Sequence, residues 1–411
     1  MLDRFLQRVI RVGALSVRFP GGSLHTYGDG TGPEVVVAVS AAAARAIALG
    51  PDPGLGEAYM NGGVRFERGD IWSLLEIAGR NQVNAEPKRK GPIARGWLAL
   101  QRRMQQWNDR PSAQRNSAHH YDLSIDLYRR FLDSDLQYTC AYFPRPGMTL
   151  EEAQAAKRAH VIAKLKIEPG MRVLEIGCGW GGLALEMAGR HGAEVLAISL
   201  SNEQLAIARQ RAEAAGLSDR IRFEYMDYRD VEGPFDRVVS VGMFEAVGVA
   251  YFPAFFGKLR ALLADDGFAL IHSIGRKTPP GLTSPWTRKY IFPGGYIPAL
   301  SETLAAVEEQ ELWVTDIEIL RLHYGETLRH WRMNFARERA AIAALYDERF
   351  CRMWEYYLAS AELAFRYGDQ MNFQLQLTRR RDALPITRDY MVDAERAVPQ
   401  VRGRQRAGVD A

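Results

Sequence analysis

The sequence predicts an α/β fold, a doubly wound and mostly parallel sheet, preceded by a smaller N-terminal α+β unit. Three observations predict it. From about residue 165, strand-like and helix-like segments alternate, the pattern that builds a parallel sheet covered by helices. A loop with four glycines, in VLEIGCGWGG at 173–182, joins the first of those strands to the first helix. Residues 13 to 80 instead show short strand-like runs between turn signals such as PGG, GDGTGP and NGG. A length of 411 residues leaves room for two or three domains, and 47% hydrophobic with 25% charged residues is the composition of a chain that buries a core.

The elements follow in order. At the N-terminus Leu2, Phe5, Leu6, Val9 and Ile10 repeat at helical spacing, with Arg4, Arg8 and Arg11 between them. Such a helix either lies on an anionic membrane surface or packs on its own domain. Its charges interrupt the apolar run a signal peptide needs, and no later window is long and apolar enough to span a bilayer. Strand-like ALSVRFP, EVVVAVS and VRFERGD come next, then a polar linker, NQVNAEPKRKGP, a helical ARGWLALQRRMQQW and a second polar stretch. The boundary drawn from this divides 1–110, a unit for lipid docking or dimerisation, from 111–400, the catalytic portion. Strands MRVLEI, EVLAISL, IRFEYMD, FDRVVSVG and FALIHSIG then alternate with helices LALEMAGRHG, NEQLAIARQRAEAAG and FPAFFGKLRALLADDG. Residues 301 to 370 read as largely helical and rich in aromatics.

Charge and cysteine usage exclude some classes. A net charge of +4 does not call for nucleic acid, although arginines crowd residues 87 to 130. Cys140, Cys178 and Cys351 make no CxxC pair, so neither a zinc site nor a disulfide framework is indicated, and a reducing cytoplasm fits. His119 and His120 are adjacent and cannot chelate from one helical face, so no metal is expected.

A dinucleotide loop would offer its helix N-terminus to a pyrophosphate. Here Glu175 stands two residues before Gly177, where a carboxylate suits a ligand with a positive charge or an amino group. S-adenosylmethionine carries both, and Glu175-x-Gly177-x-Gly179-x-Gly181 fits the loop of the class I methyltransferases, a Rossmann-like sheet. The alternatives are a structural turn or a nicotinamide site. Where such sheets usually end their second strand in an acid for the ribose, this chain has Ser199 and Leu200, with Gln204 one turn into the helix, and these groups can hydrogen-bond the hydroxyls instead. Asp227 and Tyr228 follow the third strand, at the adenine position.

Beyond the loop, HHYDLSIDLYRRFLD, LQYTCAYFP, VVSVGMFEAVG, HSIG, KYIFPGGYIP, HYGETLRHW and ERFCRMWEYYLASAELAFRYG stand in the order and spacing of the cyclopropane fatty acid synthase family, which the chain resembles across residues 117 to 370. GEAYMNGG at 56–63 is similar to that family's N-terminal domain. The resemblance implies methylene transfer from S-adenosylmethionine to the cis double bond of an unsaturated acyl chain in a membrane phospholipid. It implies a bound bicarbonate as the base that takes a proton from the new methyl group. The positions matching its binding cluster are Cys140, Glu245, His272, the Ile274 backbone and Tyr324, with Glu245 orienting the histidine. Tyr138 and Thr139 match contacts to the amino-acid end of S-adenosylmethionine, and Tyr121-Asp122 matches a segment that closes over it. Taken singly, Cys140 reads as a small buried hydrophobe, His272 as a structural histidine and Tyr324 as core cover. Trp354, Tyr356, Tyr357 and Phe365 read equally as an acyl-pocket wall or as core.

Two segments depart from the family's pattern. FEHVG is replaced by Phe244-Glu245-Ala246-Val247-Gly248, and HYDLGNDFY by HYDLSIDLY. Loss of a histidine beside Glu245 makes a methyl- or methylene-branched chain the alternative product. A nucleic-acid methyltransferase is the rival class with the same loop, but no NPPY-type dyad occurs. A non-catalytic lipid binder is the other, against which the intact loop and cluster stand. The expected partners are therefore an unsaturated phospholipid and the membrane surface, with no nucleic acid and with homodimerisation as the other role of the N-terminal unit. The expected location is cytoplasmic, peripheral to the inner face of the membrane.

Overall fold

The computed structural model describes residues 1–83, 101, 105–106 and 123–397. His119, His120, Tyr121, Asp122 and most of the arginine-rich stretch lie outside them. The chain divides into two compact units. Unit 1 comprises Met1–Trp107, Arg276–Ile297 and Tyr324–Met371; unit 2 comprises Asn108–Gly275, Pro298–His323 and Asn372–Ala411. Unit 1 thus takes two segments that a single cut at residue 110 leaves with the catalytic portion.

Unit 1 begins with helix α1 (Leu2–Val9) and four strands, β1 (Ala14–Arg18), β2 (Leu24–Tyr27), β3 (Glu34–Val39) and β4 (Val64–Arg68), in the order β2-β1-β3-β4. Helices α2 (Ala41–Leu49) and α3 (Pro51–Met60) connect β3 to β4, and α4 (Ile71–Val83) follows. Helix α1 packs on its own unit: Leu2 and Ile10 are buried against Leu15, Val17 and Val37, with Phe5, Leu6 and Val9 partly buried beside them.

In unit 2, α5 (Ile125–Phe131) and α6 (Leu150–Leu165) precede the sheet, and α6 starts from a capping box in which Thr149 and Glu152 exchange bonds. Strand β5 (Arg172–Ile176), α7 (Gly182–His191), β6 (Glu194–Ser199), α8 (Asn202–Ala214), β7 (Ile221–Tyr225), β8 (Phe235–Val241), α9 (Phe252–Leu262) and β9 (Leu263–Arg276) then alternate as the sequence predicts. The sheet is parallel through β7-β6-β5-β8-β9. Its core on the α6–α8 side is aliphatic, with Val161, Leu183, Met187 and Leu205 against Val173, Val195 and Val239. Each such side chain contributes about 1.5–3 kcal/mol by leaving water.

Between helices α10 (Pro285–Tyr290), α11 (Leu300–Glu308), α12 (His323–Leu345) and α13 (Glu348–Arg366) lies one strand the sequence reading missed, β10 (Trp313–Leu320); a second, β11 (Gln370–Thr378), precedes α14 (Asp389–Ala397). The two pair antiparallel and extend the sheet to seven strands in the order β10-β11-β9-β8-β5-β6-β7. Strand β9 also begins at Leu263, so the preceding helix stops before the Asp265-Asp266-Gly267 turn that the sequence assigns to it. Among the described residues no helix is long and apolar enough to cross a membrane.

Candidate active site

The chain leaves β5 for β6 and β7 on one side and for β8 and β9 on the other, so the carboxyl ends of β5 and β8 flank the crevice where such sheets bind ligands. Ile176 pairs with Ser240 across that boundary, and the loops 177–181 and 242–248 open directly above it. Gly177 has φ +85°, and a Cβ there would meet the Met243 Cβ at 2.9 Å, so these loops touch only because the residue is glycine. The N–H groups of Gly177 and Cys178 both donate to the Ile198 carbonyl, at 2.9 and 3.1 Å, pinning the loop to β6.

Beneath the loop, Glu175 is 4% exposed. Burial pushes its carboxyl up to about 8, against the pull of nearby Lys157. Its Oε2 is buried without a hydrogen-bond partner among the described residues. The carboxyl accepts from the Ala184 N–H, and its remaining oxygen, desolvated beside three glycines, is an acceptor for a cationic or donor-bearing ligand. Gly179 and Gly181 complete the loop at φ +52° and +83°. Around it, the Ser199 hydroxyl donates to Gln204 Oε1 at 3.1 Å, and Leu200 is half-buried at the strand end. Asp227 is less open than the sequence suggests: Arg229 holds both its oxygens, at 2.8 and 2.7 Å. The Tyr228 ring stands edge-on to Phe255. Tyr138 packs edge-to-face on Tyr128 and Phe131, and Thr139 Oγ1 accepts from Lys157 Nζ at 2.8 Å.

Four of the five expected bicarbonate positions belong to unit 2. The Ile274 N–H donates to Glu245 Oε1 at 2.6 Å, while Glu245 Oε2 is buried with no hydrogen-bond partner among the described residues. Burial pushes this carboxyl up to about 7. Phe244 beside it stacks on Phe252 and packs on Phe255 and Phe256, an aromatic wall next to the loop that meets Gly177. Gly242 donates to the His272 carbonyl, and a Cβ on Gly242 would meet the Thr139 methyl at 2.8 Å, which brings the segment of Cys140 to the same strand ends. Cys140 is buried, its thiol donating to the Ala141 carbonyl at 3.3 Å.

His272 departs from expectation. Its Nε2 faces the Asn372 amide at 3.2 Å and its Nδ1 the Gln374 amide at 3.0 Å, so β11 orients it rather than Glu245. Burial, aided by Lys157, His160 and Lys164, pushes it down to about 3 and keeps it neutral. A neutral imidazole has one donor and one acceptor nitrogen, so one amide offers its oxygen and the other its NH2. With the Ile274 N–H also taken, the atom left for a bicarbonate is Glu245 Oε2: held near neutrality, the carboxyl can take up the O–H proton of such an anion. Tyr324 lies in unit 1 at the start of α12, its ring packed on Trp331 and Phe365. Trp354 and Tyr357 pack on each other, and Tyr356 on Trp286, as part of that unit's core.

The sequence reading missed Lys157. Its ammonium is buried, bonded to Gln137 Oε1 at 2.5 Å and Thr139 Oγ1 at 2.8 Å, and burial pushes it down to about 8. It also missed Asp135, which joins Arg158 of α6 to Arg211 of α8, while Arg211 holds the Trp180 carbonyl of the glycine loop at 2.7 Å. The available signal was Gln154, Lys157, His160 and Lys164, one helical stripe that reads as solvated and is buried.

This sheet, this loop and the buried carboxyl beneath it define a class I S-adenosylmethionine-dependent methyltransferase. The family described as mycolic acid cyclopropane synthetase matches residues 108–375. A tuberculostearic acid methyltransferase of Mycobacterium tuberculosis is 37% identical over 395 residues, spanning 92% of this chain and 90% of that protein. A cyclopropane-fatty-acyl-phospholipid synthase of Escherichia coli is 38% identical over 329 residues, 79% of this chain and 83% of its own. The crystal structure of a mycolic acid cyclopropane synthase complexed with SAH and CTAB superposes with TM-score 0.61 at 30% identity, covering 64% of this chain and 97% of that one. The chain belongs to this cyclopropane synthase family of lipid methyltransferases.

Proposed function

We propose that the enzyme transfers a methylene group from S-adenosylmethionine to the cis double bond of an unsaturated acyl chain in a membrane phospholipid and closes a cyclopropane ring. The observation that carries this reading is Glu245: a buried carboxyl held near neutrality, with one oxygen free, beside the Phe244 cluster and the loop that packs on Gly177. In this reading Glu175 takes the cationic amino-acid end of the donor, Tyr138 and Thr139 flank it, and Ser199, Leu200, Gln204, Asp227 and Tyr228 line the nucleoside. An alkene is a poor nucleophile, so alignment and exclusion of water supply most of the catalysis, and aromatic faces shelter the positive charge that develops on the acyl chain. A bicarbonate held by Glu245 among Cys140, His272 and Ile274 supplies the base for the methyl proton, and the family resemblance adds Tyr324 to the residues expected to hold it. The Ile274 N–H holds Glu245 Oε1, which leaves Oε2 to accept the bicarbonate's own proton in this reading. The enzyme works at the inner face of the membrane as a peripheral cytoplasmic protein, and the first 110 residues dock lipid or dimerise.

A second reading keeps the donor and acceptor but yields a methyl- or methylene-branched chain. Ala246, where the family pattern has histidine, favours it, as does the name of the relative that spans 92% of the chain, a methyltransferase rather than a ring synthase. Expression in a host rich in cis-monounsaturated lipids and lacking cyclopropanes, followed by gas chromatography–mass spectrometry of total fatty esters, tests both. A gain of one CH2 with ring fragmentation and no double bond supports the first reading. The same gain with an alkene retained and a methyl or methylene branch replaces it with the second, and no gain refutes both.

A further inference from the structure

The N-terminal part of unit 1 holds a cavity of about 480 Å³, inside the roughly 300–1,000 Å³ range of small-ligand sites. Protein cores rarely leave such space unfilled. Helix α1 forms one wall through Leu2, Phe5 and Leu6, and the sheet forms the floor through Leu15, Val17 and Val37. Of the residues that line it, only Arg8, Arg11, Asn81 and Gln82 have polar side chains. The cavity is open to one side: Phe5, Leu6, Leu55 and Leu74 are only half-buried and Ala78 is exposed.

The mouth is positively charged and held in place. Arg8 and Arg11 are exposed, and no ion pair engages either among the described residues. Asp3, the one acid of α1, is taken by the Tyr27 hydroxyl at 2.6 Å and by His25 at 2.9 Å. Asn81 clamps the turn that carries Arg11: its Oδ1 accepts from the N–H groups of Arg11 and Val12 at 2.8 and 3.0 Å, and its amide donates to the Val12 carbonyl at 2.8 Å. An apolar interior with a basic rim matches a ligand that has a long hydrocarbon part and an anionic head.

We propose that this cavity binds one acyl chain of an anionic phospholipid, with its headgroup phosphate against Arg8 and Arg11. Its lining runs from Leu2 to Gln82, outside the stretch 108–375 that matches the catalytic family, and the assignment rests on the lipid-docking reading of the first 110 residues, to which it adds the ligand. It holds whichever product the catalytic unit makes. An acyl chain drawn up from the bilayer into unit 1 anchors the enzyme to anionic membrane more firmly than surface charge alone.

The test uses the full chain, without S-adenosylmethionine, on vesicles of phosphatidylcholine alone or mixed with phosphatidylglycerol. Each carries a trace of the same lipid with a diazirine midway along its acyl chain, and photoadducts are mapped by peptide mass spectrometry. Adducts are expected in residues 2–17 and 71–82, about tenfold fewer without phosphatidylglycerol or in R8Q/R11Q. A78W, which places a large ring at the exposed mouth, is expected to remove these adducts and spare those elsewhere. R8Q/R11Q changes only exposed groups and keeps the test valid if A78W does not fold. Adducts absent from residues 1–83 overturn the proposal. So do adducts there that A78W leaves unchanged, which would make α1 a surface contact, and adducts that vanish as protein concentration rises, which would give the cavity to a second copy of the chain. Because no methyl transfer is read, failure of the proposed reaction leaves this result intact.

Discussion

Unit 2 buries ionisable side chains in two regions and finishes them in opposite ways. At the carboxyl ends of β5 and β8, Glu175 and Glu245 each keep one oxygen without a hydrogen-bond partner among the described residues, and burial raises both. Around β10 and β11 the charges meet. His160 sits between Glu318 and Glu395, stacked on Tyr142 at 4.1 Å, and Lys164 bonds Glu318 at 2.5 Å. Against the penalty of burial, those contacts hold His160 above its ordinary range and Glu318 below it. A buried group that remains unpaired costs stability and persists where a ligand completes it, whereas a paired one is scaffold. Substitutions at the first region should therefore strike activity, and those at the second should strike stability.

The largest effect is expected at Glu245. Glu245→Gln keeps an acceptor for the Ile274 N–H and removes the proton acceptor, so methyl transfer to lipid should fall by about 10²-fold or more. Stability should move the other way. The folded pKa of Glu245 is raised to about 7, so its neutral form is favoured below the ordinary value of 4.5 and that contribution is lost as pH rises through 7. At pH 8 the glutamine variant should be more stable, on the order of 3 kcal/mol, with little difference at pH 5. Thermal melts at both pH values measure this; a variant that loses activity and stability together would make Glu245 structural.

Next is Glu175. Burial holds its carboxyl up to about 8, so it must lose its proton to pair with a cation. Affinity for S-adenosylmethionine should rise by up to about tenfold per pH unit below that value and flatten above it. Calorimetry in buffers of different ionisation enthalpy should find a proton released at pH 7. Glu175→Gln should bind weakly at pH 8, lose the slope and differ little at pH 6. A wild-type profile flat from 6 to 8 would remove Glu175 from the cation's contact.

The same contrast explains what could be read from sequence. Strands β5 to β8 are apolar runs between turn signals, and Glu175 entering a glycine loop announces a site because the loop is local in sequence. The segment of Glu245 and the strand of His272 and Ile274 were found through co-linear motifs, but their partners were not. In β11 the alternation Asn372-Phe373-Gln374-Leu375-Gln376-Leu377 reads as a strand with one wet face, and that face is buried against His272 and α6. Polar stripes on a helix and a strand that satisfy each other look individually like solvent-facing surfaces. For that reason the sequence does not announce β11, and Asn372 and Gln374 rather than Glu245 hold the histidine ring.

Lys157 joins the two regions in character: buried like the orphans, yet bonded to Gln137 and Thr139. Lys157→Met fills the volume but leaves both oxygens without their donor, a loss of about 1–3 kcal/mol. Because Thr139 adjoins Gly242 and Lys157 opposes the upward shift of Glu175, binding of S-adenosylmethionine should weaken too, with its pH slope displaced upward. A melt that falls with an unchanged binding profile would leave Lys157 as scaffold alone.

The smallest effect is expected at the far edge. Gln374→Leu removes one amide from His272 and keeps the strand's packing volume, so it should cost about 1 kcal/mol. Two outcomes then separate orientation from chemistry. If Asn372 alone still holds the neutral ring, the reaction rate and its pH profile stay those of the parent while the melting temperature drops by a few degrees. If the rate falls with no further loss of stability than the missing hydrogen bond predicts, His272 acts on the reacting groups through the nitrogen that Gln374 normally holds. Adding excess bicarbonate to the assay divides the cases further: rescue of the Gln374→Leu rate would place the histidine among the groups that hold the anion, and no rescue would leave it to β11.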